Sequence, residues 1–423
     1  MFALLRRLID IKPEEVKAAL WSAAYFFFIL AAYYILRPIR DAAGVAGGIR
    51  NLPWLFTGTM VAMFLVNPPF AALVAKLPRH RFIPIAYRFF LANLLIFFLL
   101  FRFLPEEQHV WVGRVFYIWT SVFNLFVVSV FWGFMADAFN SAQGKRLFGF
   151  IGVGGTLGGI VGPIITAKLV EPVGAAGLLL VSAAFLEMAV LCVRRLSGIF
   201  ALSDRTRPEA AARGEEVVGG GVFDGMAHVF KSPYLLGIGL YMLLYTIGST
   251  FLYFQQVRIV EAARPDSATR TVLFAQIDLA VNVFTVVVQA FFTGRIMQWL
   301  GVAGALTVVP VISILGFLGL GMAPSLAVLV AFLVLRRGGN YAVARPSREV
   351  LYTVVSREDK YKAKSFIDTF VYRFGDQVGS WGDKLLAGLG LGTTGIALVA
   401  APLAALWMVV GYWLGRRQAS LAK

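Results

Sequence analysis

The residues of this sequence best suited to chemistry are charges set inside a stretch long enough to cross a bilayer. Between Lys364 and Leu386, Asp368, Tyr372, Asp376, Gly379 and Asp383 recur at the spacing that places side chains on one helix face, with Arg373 beside them. Each ionised side chain at bilayer depth costs about 2.5–3.5 kcal/mol on insertion scales, so these charges need partners, water or a solute. The chemistry they suit is recognition and movement of an ion. Arg373 is a candidate solute contact, and Asp368 and Asp376 are candidate ion- or proton-coupling groups.

Other apolar stretches carry similar polar faces. Near Val16–Arg37, Tyr33, Arg37 and Arg40 share a face with Asp41 next to it and Pro38 disturbing the backbone. The alternative for Arg37 and Arg40 is an outer-end position from which they snorkel to head groups. Arg114, Tyr117, Ser121 and Asn124 align in the fourth stretch, Tyr241, Tyr245, Ser249 and Gln256 in the seventh, and Asp278, Asn282, Thr285 and Gln289 in the eighth. An isolated Ser or Tyr in a membrane helix bonds to a neighbouring helix, whereas whole polar faces on several helices point to a shared aqueous cavity. The tenth stretch is interrupted by Arg336, Arg337, Gly338, Gly339 and Asn340, with Arg336 roughly 17 Å in from Ser325. This predicts a discontinuous helix at a binding site, with Arg336 or Arg337 meeting Asp368, Asp376 or an anion. The alternative is a later start, with both arginines at an interface. The candidate solute contacts are thus Arg37, Arg40, Arg114, Asn124, Tyr245, Asn282, Arg336, Arg337, Asn340 and Arg373. The candidate coupling acids are Asp41, Asp278, Asp368 and Asp376.

Several motifs with other meanings are set aside. Gly152–Pro163 (GVGGTLGGIVGP) has the glycines of a phosphate-cradling loop but no preceding strand and no closing Lys-Ser/Thr, so it reads as close helix packing. Phe374-Gly375-Asp376 lacks the first glycine of an intramembrane aspartyl protease, whose place Arg373 takes. His80, His109 and His228 fall in loops or at ends of stretches, which excludes a histidine metal site or a catalytic triad. The single Cys192 excludes a disulfide framework.

The elements that position these residues follow from composition. With 59% hydrophobic and 15% charged residues and a mean hydropathy of +0.76, the chain belongs among polytopic membrane proteins. About twelve apolar spans can be drawn, six near Val16–Arg37, Pro53–Leu77, Phe82–Leu104, Val110–Phe139, Arg146–Val170 and Val173–Val193. The other six lie near Tyr234–Val257, Thr271–Met297, Val302–Met322, Ser325–Val355, Lys364–Leu386 and Thr394–Leu414. The net charge of +16 sits in short loops between spans, the pattern of cytoplasmic loops, and no basic helix or aromatic platform for nucleic acid accompanies it. Positive-inside logic puts both termini in the cytoplasm of a bacterial-type inner membrane. The amphipathic LLRRLIDIKPEEVK leads directly into the first span, without the features of a cleavable signal peptide. The expected division is a six-helix half over 1–195, a cytoplasmic linker over 196–231 and a second six-helix half over 232–423. Basic turns at Gln143–Arg146 and Asp359–Lys364 repeat between the halves. This plan resembles major facilitator transporters, as does Gly294-Arg295 followed by Gly301, whose first-half counterpart AKLPRHR keeps only the basic residues.

Three stretches narrow the resemblance. Arg37-Pro-Ile-Arg40-Asp41, then Phe131-Trp132-Gly-Phe134 with Lys145-Arg146-Leu-Phe148, then Lys364-Ser-Phe-Ile-Asp368 with Arg373-Phe-Gly375 resemble signatures of the ATP/ADP translocase (nucleotide transporter) family. The resemblance covers essentially the whole chain and implies the major facilitator fold and a transport role. It also implies nucleotide-exchange residues that are not all present. Where the family has glutamates in its fourth and seventh helices, this chain has Thr120–Asn124 and Phe251–Gln256, and Asp376 stands at the family's lysine. The first-helix basic site survives as Arg40.

Together these features predict an all-α, twelve-helix secondary transporter, not an enzyme, with no cofactor or metal. The arginines outnumber the acids among the candidate residues, which favours an organic anion such as a nucleotide or phosphorylated metabolite. A proton or counter-substrate is the coupled species, and the protein is expected to act as a monomer in the lipid bilayer. Two alternatives stand beside this: proton-coupled export of amphipathic compounds, and a non-transporting receptor or scaffold.

Overall fold

The computed structural model describes residues 11–76, 79–139, 141–206, 229–264, 266–355, 363–364 and 366–422, and side chains outside 67–81, 136–137, 141–142, 144–145 and 201–206. The basic residues near Lys76–Arg81, Lys145, His228 and most of the Arg357–Lys362 run fall outside what is described. Among the described residues there is no strand. The helices are α1 (Val16–Ala46), α2 (Leu52–Lys76), α3 (Arg79–Phe103), α4 (Glu106–Ala138), α5 (Ser141–Thr206), α6 (Pro233–Ala263), α7 (Ser267–Phe291), α8 (Thr293–Met322), α9 (Leu326–Gly339), α10 (Arg345–Leu351), α11 (Tyr372–Gly388) and α12 (Thr393–Leu421).

Among the described residues, ten stretches are apolar and long enough to cross a bilayer. One of them runs 55 residues within α5, roughly two bilayer thicknesses, and bends at Gly174 (φ 70°, ψ 169°). That backbone region is open only to glycine, so Gly174 divides α5 into two arms, each one span long. The eleventh span is absent from the ten because its charges lower its hydropathy. Counting it, and joining α9 to α10 as one pass, restores the expected twelve. Two boundaries differ from expectation. The eighth span stops at Phe291, and Thr293–Leu300 form a helical lead into α8 that ends at Gly301 (φ 63°, ψ −178°). The polar segment from Arg194 begins as helix, because α5 continues to Thr206.

The described residues cluster into two compact units. The first lies within Met1–Gly47, Gly58–Gly214 and Asp266–Leu279, the second within Gly48–Thr57, Glu215–Pro265 and Ala280–Lys423. In the first, α1 packs along α5 and α4, and α3 packs on α5. Glycines bring α1 and α5 together: a Cβ on Gly154 would stand 2.0 Å from the Ala23 carbonyl oxygen, and one on Gly158 2.4 Å from that of Phe27. The glycine-rich run is therefore a packing stripe, as expected. The second arm of α5 joins the same contact through Ser182, whose hydroxyl donates to the Ala32 carbonyl at 3.1 Å. A core of aromatic and aliphatic side chains fills the unit, with Phe26 stacked on Phe131.

The second unit repeats this pairing. Its first helix, α6, packs on α11 and α12, and α8 packs on α12. Glycines again permit the approach, since a Cβ on Gly375 would stand 1.8 Å from the Thr246 hydroxyl and one on Gly379 2.8 Å from Thr250 Cβ. The buried face of α11 is Gly375, Asp376, Gly379, Ser380 and Asp383. The helix thus presents its carboxylates to protein while leaving Phe374, Val378, Trp381 and Leu385 exposed.

Candidate functional site

In the first unit, α1 carries Arg37, Arg40 and Asp41 about six to seven turns from its start, and Pro38 lies inside the helix without ending it. Arg37 Nε lies 3.5 Å from Asp278 on α7 and 4.0 Å from Asp41, while Arg40 donates to Asp41 from Nη2 at 2.6 Å and from Nε at 3.0 Å. Both carboxylates are buried, Asp278 to 1% exposure. Arg40 also sits 5.2 Å over the Tyr117 ring of α4. These arginines are held inward by carboxylates rather than extended toward head groups. Arg114 does something else: it donates to the Gly47 carbonyl at 3.3 Å, at the C-terminus of α1, and stacks 4.4 Å over Trp111. A cation there satisfies a helix-end carbonyl and complements the helix dipole. Asn124 is half-buried on α4, two turns beyond Tyr117.

The second unit assembles a cluster around Arg336, which is 2% exposed. Its Nε donates to Ser313 Oγ of α8 at 2.9 Å, Nη1 to Ser249 Oγ of α6 at 2.9 Å, and Nη2 to the Tyr245 carbonyl at 3.1 Å. The Tyr245 and Trp407 rings lie 5.3 and 5.8 Å from its guanidinium carbon. Asn340 donates to the Tyr245 hydroxyl at 2.9 Å. One turn along α6, Thr250 donates to Asp376 at 3.2 Å, and Arg373 reaches the same carboxylate at 3.2 Å. Tyr245, Arg336 and Asn340 thus meet, with Arg373 and Asp376 nearby. Asn282 and Arg337 are half-buried on α7 and α9.

Two expectations need correction. Arg336 meets neither Asp368 nor Asp376; Arg348 takes Asp368 at 3.3 Å, and Arg373 takes Asp376. The tenth span is also not discontinuous at its glycines. Gly339 (φ −60°, ψ −37°) and Asn340 (φ −63°, ψ −48°) are helical, and the chain passes through a π turn over Asn340–Ala344 into α10. Pro346 explains the turn, since it has no N–H and its ring crowds the carbonyl four residues back. That carbonyl, Ala342, accepts from Thr293 at 2.8 Å, and the Tyr341 carbonyl accepts from Gln289 at 3.2 Å. Widening the helix and supplying side-chain donors replaces the break. Gly338 serves packing, as a Cβ there would meet Phe284 at 2.3 Å.

Some partners were not singled out from sequence. Ser313 is one of two hydroxyl residues, with Thr307, in an apolar span, and Trp407 is one of many span aromatics. Arg258, near the end of α6, takes both oxygens of Asp383. A charge in the seventh span opposite an unmatched aspartate in the eleventh was the only available cue.

No family model matches the chain. It is 24% identical to ADP,ATP carrier protein 1 of Chlamydia trachomatis serovar D, over 90% of this chain and 84% of that protein. It is 22% identical to ADP,ATP carrier protein 1 of Chlamydia muridarum, over 98% and 90%. The chain is a distant homologue of these carriers. Solved structures that this carrier homologue resembles are transporters of major facilitator type. They include a bacterial homologue of the iron transporter ferroportin in an inward-facing state (TM-score 0.66, 12% identity, 95% of this chain and 99% of that one). The nucleoside transporter NupG is another (TM-score 0.57, 13% identity, 97% and 100%). The fold is therefore an all-α, polytopic, major facilitator-like transporter, and its relatives are carriers rather than enzymes. In this homologue Thr120 of the fourth span donates to the Phe116 carbonyl at 2.8 Å and Gln255 of the seventh to the Thr393 carbonyl at 2.9 Å.

Proposed function

We propose that this multi-pass membrane transporter moves an organic anion, a nucleotide or another phosphorylated metabolite, by alternating access of two six-helix halves. The observation that carries the reading is the balance of charge inside the spans. In the first unit Arg37 and Arg40 face Asp41 and Asp278, with Arg114 in addition. In the second, Arg258, Arg348 and Arg373 match Asp383, Asp368 and Asp376, with Arg336 in addition. Each unit carries arginine in excess of carboxylate, which lowers the energy of an anion there. Homology to ADP,ATP carriers supports a nucleotide as the first solute to try. Arg40 and Arg373 are proposed as solute contacts because each is a basic residue held beside a carboxylate within the spans of its unit. Asp278 and Asp376 are proposed as the groups that exchange a proton if accumulation follows a pH gradient. The basic loops support a plasma-membrane orientation with both termini cytoplasmic.

The test is a thermal-unfolding screen of purified protein against nucleotides, sugar phosphates, carboxylates and their neutral analogues, followed by counterflow in proteoliposomes. A ligand at 100 times its dissociation constant stabilises by about 2.7 kcal/mol, an easily measured shift. Anions should raise the midpoint and neutral analogues should not. A neutral analogue as effective as its anion would remove the assignment, and stabilisation by amphipathic cations would favour the exporter alternative.

A further inference from the structure

Arg336 differs from the ion-paired arginines of the second unit in having no carboxylate partner among the described residues. Arg258, Arg348 and Arg373 each hold an aspartate, yet Arg336, more buried than any of them, is met only by two hydroxyls, one carbonyl and aromatic faces. Burying a guanidinium without a counter-charge is costly, and neutral acceptors offset only part of that cost. Arginine also carries five N–H donors, of which these bonds use three, leaving one N–H on each Nη.

Nε points to buried Ser313, whereas both Nη atoms lie against Tyr245, Gly248 and Ser249, the half-buried stripe of α6. Gly248 leaves room beside Nη2, to which an added Cβ would stand only 3.2 Å away. The Ser249 hydroxyl donates onward to the Tyr245 carbonyl at 2.8 Å, so its lone pair is directed at Nη1 and fixes the guanidinium. Asn340, bonded to the Tyr245 hydroxyl, extends the polar row on the same side.

We infer that Arg336 is the residue that binds the solute's oxyanion group, a phosphoryl or a carboxylate, through one of the two remaining Nη–H donors. The solute supplies the counter-charge that the protein omits. That donor is held in place by the bonds of the planar guanidinium to Ser313, Ser249 and the Tyr245 carbonyl, which a flexible lysine ammonium does not reproduce. The inference rests on the anion-transporter reading and specifies where in the second unit the charge of the solute is read.

The experiment measures unfolding midpoints and equilibrium binding of the detergent-purified full chain with ADP, adenosine, inorganic phosphate and succinate. Wild type, Arg336→Gln, Arg336→Lys and Gly248→Ala are compared. ADP or inorganic phosphate acting with succinate silent assigns a phosphoryl group, and the converse assigns a carboxylate. Whichever anion binds wild type should lose at least about tenfold in affinity in Arg336→Gln, the loss of a charge-assisted hydrogen bond or more. Arg336→Lys should recover only part of it. Gly248→Ala should weaken the same anion while leaving membrane insertion intact, and it keeps the test open where an arginine variant fails to fold. The unliganded midpoint of Arg336→Gln should hold or rise, because an uncompensated charge has been removed. Anion binding by wild type that persists within threefold in both arginine variants overturns this inference and leaves the transporter reading standing. Adenosine as effective as ADP, or no response of wild type to any probe, counts against both.

Discussion

Asp383 of α11, 1% exposed, is gripped through both carboxylate oxygens by Arg258 of α6. The two helices are already drawn together by Gly375 and Gly379, so the pair closes at one end a contact that the glycines make along its length. It is complete in itself, with charge matched to charge, and so belongs to the framework. Removing one partner of such a buried pair strands the other. Asp383→Leu or Arg258→Met should each destabilise by about 3–5 kcal/mol, while the two together should recover most of the loss. A double-mutant cycle on unfolding midpoints in detergent measures this, and additive losses would refute the pairing.

The glycine stripe between α1 and α5 predicts a graded series. Gly154→Ala places a methyl group 2.0 Å from the Ala23 carbonyl and should cost about 1–3 kcal/mol. Gly152→Ala meets nothing within 4 Å and should be neutral or slightly stabilising. Equal effects at the two positions would show that α1 and α5 do not pack through this face.

The π turn of the tenth span depends on Thr293 occupying the Ala342 carbonyl that Pro346 cannot bond. Thr293→Val should therefore lower stability by about 1–3 kcal/mol, the cost of an unsatisfied buried acceptor. Pro346→Ala restores an N–H at that turn and should offset the loss in the Thr293→Val background more than it alters wild type. The comparison is made by unfolding midpoints of the four variants.

Substrate charge is tested at Arg40 and Arg373. Replacing either with Ala should reduce uptake of the anion at least about tenfold, one charge-assisted bond, with surface expression unchanged. Uptake that persists in both variants would place solute recognition elsewhere.

Coupling is tested at Asp278, which faces Arg37, and at Asp376, which faces Arg373 and Thr250. With Asn at either position, accumulation driven by a pH gradient should be abolished while counterflow continues. Gradient-driven accumulation intact in both variants would leave exchange of solute for solute as the mode of transport.

Much of this protein was legible from the chain itself, because a bilayer imposes a simple rule: spans must be apolar, about twenty residues long and internally hydrogen-bonded. Span number followed from that rule, as did the reading of Gly152–Pro163 as packing and the polar face of the eleventh span. Periodicity also brought Tyr245, Arg336 and Asn340 forward, since a charge in a span is costly whatever surrounds it. What periodicity cannot encode is which charge meets which. Arg258 with Asp383 and Arg37 with Asp278 join helices far apart in sequence, Arg348 with Asp368 joins neighbouring spans, and only the packing of those helices selects the pairs. The same holds for the absence, among the described residues, of a carboxylate beside Arg336. The sequence offered Asp368 and Asp376 as partners one helix away, and tertiary structure assigned both to other arginines, leaving hydroxyls that were just span residues until α6, α8 and α9 came together.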